Sequence, residues 1–150
     1  MRSGTLNVPG IVGLGAACEI CRTTMAEEGA RLAALRDRLL AGLTSHLTGV
    51  IVNGSLERRL PHNLHVSFTD VDGESLLIGI SDIAVSSGSA CSSASGLASH
   101  VLRAIMGGNP VPSASIRFGL GRHTTDEDID YTIKKFVSVI MHLRSTAPAH

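Results

Sequence analysis

A long helical repeat of apolar positions dominates the first third of the sequence. Pro9 suits the first turn of a helix, where its missing N–H costs nothing, and the repeat continues to about His46. Polar residues separate the apolar ones, as in a helix with one buried face. Glycines near the start predict a bend or close packing there. The apolar positions are Ile11, Leu14, Cys18, Cys21, Met25, Leu32, Leu35, Leu39 and Leu43.

Four short segments have the composition or the alternation of β-strands. Residues 49–54 contain the β-branched run Val50-Ile51-Val52 and end in a turn dipeptide. Residues 83–85 form a short apolar run. Residues 63–68 and 115–121 alternate apolar and polar positions, which predicts half-buried strands with Arg117 on a polar face. The inward positions of the last strand are Ile116, Phe118 and Leu120.

Three further helices are predicted between and after these strands. One begins at residue 72 or 73 and runs to about residue 80, and another covers residues 98–106. Thr124 or Thr125 caps the last helix, and an acidic residue three positions later completes a capping box. Its buried stripe is Ile129, Ile133, Phe136, Val137, Ile140 and Leu143.

The predicted element order is α-β-β-α-β-α-β-α, which is typical of an α/β layered domain. A chain of 150 residues is long enough to bury one core of ordinary size. No internal repeat or domain boundary interrupts it. We therefore expect a single domain over residues 1–150, in which residues 1–10 form an extended lead-in.

Composition narrows the classes of function. Thirteen basic and thirteen acidic residues cancel, and aromatic residues make up only 3% of the chain, so neither a nucleic-acid surface nor a membrane surface is expected. No apolar run has the length of a membrane span. Three cysteines are an odd number without the spacing of a disulfide framework, which predicts a reducing cytoplasm.

The clearest candidate for chemistry is Cys91, in a run of Ser, Ala and Gly over residues 84–95. Small residues of this kind form solvent-reachable loops, whereas an unpaired cysteine is normally buried. A thiol needs ionisation to act as a nucleophile, and the nearest base in the sequence is His100. No local signature of a papain-like Cys–His pair is present. A linker that happens to contain a cysteine is the alternative.

Other side chains have two interpretations each. Arg117 on the polar face of a strand could hold a carboxylate in two hydrogen bonds, or form a surface salt bridge. Cys18 and Cys21 fit C-x-x-C but lack a second ligand pair, so core packing is favoured. His62 and His65 have no supporting metal ligands. Arg58 and Arg59 are expected to be solvated loop charges.

Several stretches match one protein family in order along the chain. They are Arg2-Ser3-Gly4-Thr5 with Pro9 and Ile11-Val12-Gly13, Asn63-Leu64-His65-Val66-Ser67-Phe68, Gly73-Glu74-Ser75-Leu76, the loop at 86–95, Val101-Leu102-Arg103-Ala104, Ser115-Ile116-Arg117-Phe118, Leu120-Gly121-Arg122 and residues 124–133. Together they resemble the NifS/IscS-type cysteine desulfurases of the class V aminotransferase family, C-terminal portion only.

The resemblance implies the small C-terminal domain of a fold-type I PLP-dependent transferase, with residues 1–10 ending the large domain and residues 11–150 forming a linking helix plus the small domain. It implies conversion of L-cysteine to L-alanine, with the sulfur held as a persulfide on Cys91 for an Fe–S scaffold or another acceptor. Arg117 would bind the substrate carboxylate. Thr5 would reach the phosphate of pyridoxal 5′-phosphate in the other subunit of a homodimer.

The lysine content limits what this chain can do alone. Lysine occurs only as Lys134-Lys135, on the last predicted helix, and the resemblance does not place the cofactor's Schiff-base lysine there. Electron-sink chemistry depends on that cofactor. We therefore expect the PLP-binding domain to come from elsewhere. A stand-alone carrier of sulfane sulfur and an inactive remnant remain alternatives.

Overall fold

A computed structural model of the chain describes residues 3–87, 100–107 and 112–147. Within these ranges the elements follow the predicted order, α-β-β-α-β-α-β-α. The helices are α1 (Val8–His46), α2 (Gly73–Gly79), α3 (His100–Ile105) and α4 (Asp126–Thr146), and the strands are β1 (Val50–Val52), β2 (Asn63–Phe68), β3 (Ser86–Ser87) and β4 (Ala114–Gly119).

The four strands form one antiparallel sheet in the order β1-β2-β4-β3. The third strand was predicted at residues 83–85 and this was wrong, because the ladder with β4 begins only at Ser86. Ile83 and Val85 instead pack against the core beside the sheet. Apolar content indicated burial at these positions, and it did not show where the backbone pairing begins.

The core lies between one face of the sheet and helices α1, α2 and α4. Ile116, Phe118 and Leu120 point inward, as predicted, and Phe136 of α4 packs on Phe118 with ring centroids 5.0 Å apart. The inward side chains of β2 are fully buried against the same helices. This arrangement leaves the other face of the sheet to polar residues.

Helix α1 differs along its length. Its second half contributes Leu32, Leu35, Leu39 and Leu43 to the core, whereas the apolar side chains of its first half are exposed. The prediction that Cys18 and Cys21 pack in the core was wrong, since both thiols are exposed. The predicted close packing at the early glycines is found only in part, since a Cβ at Gly10 would meet the side chain of Asn7, whereas one at Gly13 or Gly15 would meet no atom within 4 Å. A helical repeat of apolar residues does not by itself supply a surface to pack against.

Helix ends follow the local sequence closely. The hydroxyl of Thr125 accepts a hydrogen bond from the backbone N–H of Asp128 at 3.2 Å, and the Asp128 carboxylate accepts one from the N–H of Thr125 at 2.9 Å. This is the predicted capping box. Asp72 caps α2 in the same way, through the N–H of Ser75.

Polar contacts also fix α1 against the chain's second half. The guanidinium of Arg31 donates to the carbonyl oxygens of Gly121, Arg122 and Thr124, in the turn between β4 and α4. Arg38 pairs with Asp130 at 2.8 Å. These contacts set the position of β4, the strand that carries Arg117, relative to the long helix. No helix in the described ranges combines the length and the apolar character needed to cross a membrane.

Candidate functional site: a cationic cleft on the polar face of the sheet

The face of the sheet opposite the core carries a row of polar side chains. The β2–β4 register pairs His65 with Arg117 and Ser67 with Ser115, so these four side chains share one face. Ser67 and Ser115 are buried, and their hydroxyl oxygens lie 2.6 Å apart. The side-chain amide of Asn53 donates to Ser67 at 2.8 Å. This buried network fixes one end of the row and leaves Arg117 at the other.

A cleft of about 410 Å³ opens over this polar face, between the sheet, helix α3 and the loop that joins β1 to β2. We call it the cationic cleft. No Asp or Glu lines it within the described part of the chain, and an anion would therefore be attracted into it. Its charged or titratable members are Arg58, Arg59, His65, His100 and Arg117.

Arg117 is held at the edge of the cleft by strand pairing. It lies opposite His65 on one side and opposite Ser86 on the other. Its guanidinium is exposed and donates a hydrogen bond to the Ser86 hydroxyl at 3.3 Å. No carboxylate pairs with it among the residues that the structure describes. The interpretation of Arg117 as part of a surface salt bridge therefore has no support among the described residues. Its guanidinium lines the cleft instead.

Arg59 is not the solvated loop charge that the sequence suggested. It is half-buried, and its guanidinium donates to the carbonyl oxygens of Ser55 at 2.6 Å and Asn53 at 2.7 Å. Burial, and then the positive charge of Arg36, lowers its pKa. Arg59 therefore holds the β1–β2 loop in shape and adds a fixed positive charge to the cleft. Arg58, its neighbour, is exposed as predicted.

His65 lies close to both Arg117 and Arg59, whose charges act on its imidazole. Its side chain is half-buried, and burial, followed by the charges of Arg117 and Arg59, lowers its pKa below the ordinary value. The imidazole is therefore uncharged near neutral pH. Among the described residues, no group of three or more His, Cys, Asp or Glu side chains is placed so that it could hold a metal ion.

The three residues that the sequence singled out have different outcomes. Arg117 lies in the cationic cleft. Thr5 is exposed just before α1 and is not part of the cleft lining. Cys91 lies outside the described residues, but Ser86 and His100, close to either end of the undescribed segment that contains it, both line the cleft.

The two lysines lie away from the cleft on α4. Lys135 pairs with Asp82 at 3.1 Å, and Lys134 lines a groove between α1 and α4. The cleft itself contains guanidiniums, imidazoles, hydroxyls and amides. Such a set binds and orients an anion, and it does not supply the amine of a Schiff base.

The sequence did not predict that Arg59 and His65 lie in the candidate site. Their contribution depends on the strand register and on the fold of the β1–β2 loop, which bring them beside Arg117. The alternating patterns of residues 63–68 and 115–121 do place His65 and Arg117 on polar faces. Only the register shows that the two residues are direct neighbours.

Comparison with known proteins decides the family. The model of the family "Aminotransferase class-V" matches residues 1–132. The chain belongs to the class-V aminotransferase family. It is 52% identical over 149 residues to the cysteine desulfurase IscS of Anaeromyxobacter sp. (strain K), and 53% identical over 148 residues to that of Pasteurella multocida (strain Pm70). The resemblance noted in the sequence is thereby confirmed.

This class-V chain spans about a third of its relatives. The alignments cover 99% of the chain but 37% and 36% of the two IscS proteins. The region matched is the C-terminal region of IscS. Among solved structures, a NifS-like protein superposes with a TM-score of 0.78 and 34% identity, over 95% of this chain and 36% of that one. A NifS-like protein from Rickettsia africae superposes with a TM-score of 0.74.

Proposed function

We propose that this chain is the C-terminal portion of a PLP-dependent cysteine desulfurase, in which Cys91 accepts the sulfur of L-cysteine. The observation that carries the proposal is the cationic cleft. It holds Arg117 without a carboxylate partner among the described residues, and both Ser86 and His100 contribute to its lining. Its relatives named IscS are cysteine desulfurases, which supports the reaction class.

In this proposal Arg117 binds the carboxylate of the substrate. A guanidinium matches the two oxygens of a carboxylate with two parallel N–H groups, which fixes orientation as well as position. Ser86 supports one side of the guanidinium, and His65 lies on the other. Because neither neighbour is an anion, neither competes with the substrate for Arg117.

Cys91 would be the nucleophile. Its thiolate attacks the sulfur atom of the substrate, an S–S bond forms, the C–S bond breaks, and the carbon fragment takes up a proton to become L-alanine. The four peptide units from Ser87 to Cys91 span at most about 14 Å. Since Ser86 pairs with Arg117, that reach covers the neighbourhood of a carboxylate held by Arg117.

The binding site for the family's cofactor is not complete within the described part of this chain. Pyridoxal phosphate would supply the electron sink for the substrate, and a lysine would be needed to anchor it in the free enzyme. Both lysines lie outside the cleft, so the described residues do not fit a full site for it. We infer that another domain or a second subunit holds it, and that Thr5 contributes a hydroxyl to its phosphate. An Fe–S scaffold or another sulfur acceptor would receive the sulfur.

A stand-alone sulfane-sulfur carrier is the second candidate. It needs only an accessible thiol, and it does not require the anion-binding cleft. The lack of a carboxylate partner for Arg117 among the described residues favours the desulfurase over the carrier.

The test is a hybrid enzyme in which this chain replaces the matching region of the Pasteurella multocida protein. With L-cysteine and pyridoxal phosphate, the hybrid should release L-alanine. Arg117→Gln should raise KM about tenfold to a hundredfold, because hydrogen bonds to charged groups contribute about 1.5–3 kcal/mol. Arg58→Gln is the matched control, since Arg58 lines the same cleft without the β-strand register of Arg117. A folded, cofactor-loaded hybrid that releases no alanine would contradict the proposal.

A further inference from the structure

His65 is the titratable residue paired directly with Arg117 across the sheet. The two residues are direct partners across β2 and β4, with their side chains on the same face of the sheet. Side chains in this position have Cβ atoms about 5 Å apart, close enough for their charges to act on each other. Both line the cationic cleft, so both face the space in which an anion would bind.

The other groups around His65 are also cationic or neutral. The same cleft is lined by Arg59 and Arg58 from the β1–β2 loop, by His100 from α3 and by Ser86 from β3, and the charge of Arg59 acts on His65. No acidic side chain of the described ranges lines this space. A proton on His65 would therefore add a further positive charge to a cluster of like charges in partly buried surroundings.

An anion in the cleft changes this balance. A carboxylate on Arg117 cancels much of the positive field at His65, and a protonated imidazole then gains an attractive neighbour. The same linkage works in the opposite direction, because a group that takes up a proton when a ligand binds must strengthen binding of that ligand as the pH falls.

We propose that His65 is a positioning residue that couples anion binding at Arg117 to the uptake of one proton. It is neutral while the cleft is empty and becomes protonated when a carboxylate binds, so that the cleft holds an anion between an imidazolium and a guanidinium. The inference rests on the proposed role of Arg117 as the carboxylate site, and it assigns to His65 a role that the sequence did not predict.

The sign of the pH effect follows. The lowered pKa of His65 in the free cleft rises when the anion binds. Affinity for the anion should then increase as the pH falls through the pKa of the bound state, and level off below the pKa of the free state. Each unit by which the two pKa values differ corresponds to about a tenfold change in affinity. We expect a gain of about threefold to tenfold, since the cleft is open to water.

The test follows the histidine side chains of the full chain by NMR during pH titration. Sodium acetate is the probe, sodium chloride at equal ionic strength is the control, and methanesulfonate provides an anion that stays ionised throughout. Acetate and methanesulfonate should raise the titration midpoint of His65, and chloride should not. His46, outside the cleft, should keep its midpoint under all three salts.

Two variants separate the coupling from a structural role. Arg117→Gln should raise the His65 midpoint without any ligand, and should abolish its response to acetate. His65→Asn should still bind acetate, but with an affinity that no longer rises as the pH falls. His142→Asn, exposed on α4 and outside the cleft lining, should keep the pH dependence of the native chain.

The outcomes distinguish this inference from the proposed function. If acetate shifts the Arg117 side-chain signals and leaves the His65 midpoint unchanged, the coupling is wrong and the carboxylate role of Arg117 stands. If His65 responds equally in Arg117→Gln, the effect does not pass through Arg117 and the inference is overturned. If acetate changes neither residue, the carboxylate role of Arg117 fails along with the coupling.

Discussion

The two halves of helix α1 have similar apolar repeats but different surroundings. In the inner half, residues 27–46, Leu39 and Leu43 are 1% and 0% exposed and pack against α4 and the sheet. In the outer half, residues 8–26, Leu14 and Met25 are 68% and 70% exposed. The period of a sequence therefore predicts the helix in both halves, but burial depends on whether another element lies alongside.

The inner half of α1 contributes more to the stability of the domain than the outer half. The inner half is tied to the rest of the chain by apolar packing, by the contacts of Arg31 with backbone carbonyls, and by the pairing of Arg38 with α4. In the outer half the polar contacts up to Arg22 are local ones within the helix, such as Glu19 with Arg22. Substitutions in the two halves should therefore differ in size, and at glycine positions in sign.

The largest difference is expected for leucine truncation. Leu43→Ala should reduce the free energy of unfolding by about 2–5 kcal/mol, because it removes a fully buried side chain and leaves a cavity. Leu14→Ala, the matched change in the outer half, should stay within about 0.5 kcal/mol. Urea denaturation of both variants measures this. Equal losses would show that the outer half is packed in solution and would break the distinction.

A smaller effect, of opposite sign in the two halves, is expected at glycine. A Cβ at Gly42 would collide with the side chain of Ile133 on α4, whereas a Cβ at Gly13 would meet no atom within 4 Å. Gly42→Ala should cost about 1–3 kcal/mol by overpacking, and Gly13→Ala should add up to about 1 kcal/mol by helix propensity. Thermal denaturation compares them. If Gly42→Ala costs as much in an Ile133→Ala background as in the native chain, overpacking against α4 is not the cause.

The smallest effect concerns acid sensitivity. The charge-assisted hydrogen bond from Arg122 holds the pKa of Glu28 below its ordinary value, so the folded state binds this proton less readily than the unfolded chain. Stability from this pair is present above the unfolded pKa and is lost as the pH falls through the folded pKa.

Glu28→Gln should therefore flatten the acid limb of the stability curve. Glu19→Gln should change it less, because its partner Arg22 lies on the same exposed turn of helix. Urea midpoints at neutral and acidic pH provide the measurement. A larger change for Glu19→Gln would contradict a stability that depends on contacts between α1 and the second half of the chain.

Most of the fold was predictable because its signals are local. The capping box of α4 depends only on Thr125 and Asp128, which are three residues apart. The alternation around Arg117 predicted both the strand and which of its side chains are buried. The failures concern non-local information. Cys18 follows the apolar repeat, yet it is exposed. Strand β3 begins at Ser86 because the backbone pairing with β4 begins at that residue.

The candidate site was predictable only in part. Arg117 was proposed from its residue type and its place on a strand, and the structure shows it on β4, where it lines the cleft. The contribution of Arg59 depends on its hydrogen bonds to two loop carbonyls, which no spacing in the sequence encodes. That of His65 depends on the strand register. The roles of Arg117, Cys91 and Thr5 stay predictions.

The central claim is that Cys91 receives the sulfur of L-cysteine. The exposed thiols of Cys18 and Cys21 in the outer half of α1 provide an internal comparison, since simple accessibility would label them as well. The hybrid enzyme described above, supplied with sulfur-labelled L-cysteine and analysed by peptide mass spectrometry, should carry the label as a persulfide on Cys91 and lose it in Cys91→Ser. Alanine release with the label absent from Cys91, or placed on Cys18 or Cys21 instead, would contradict the account.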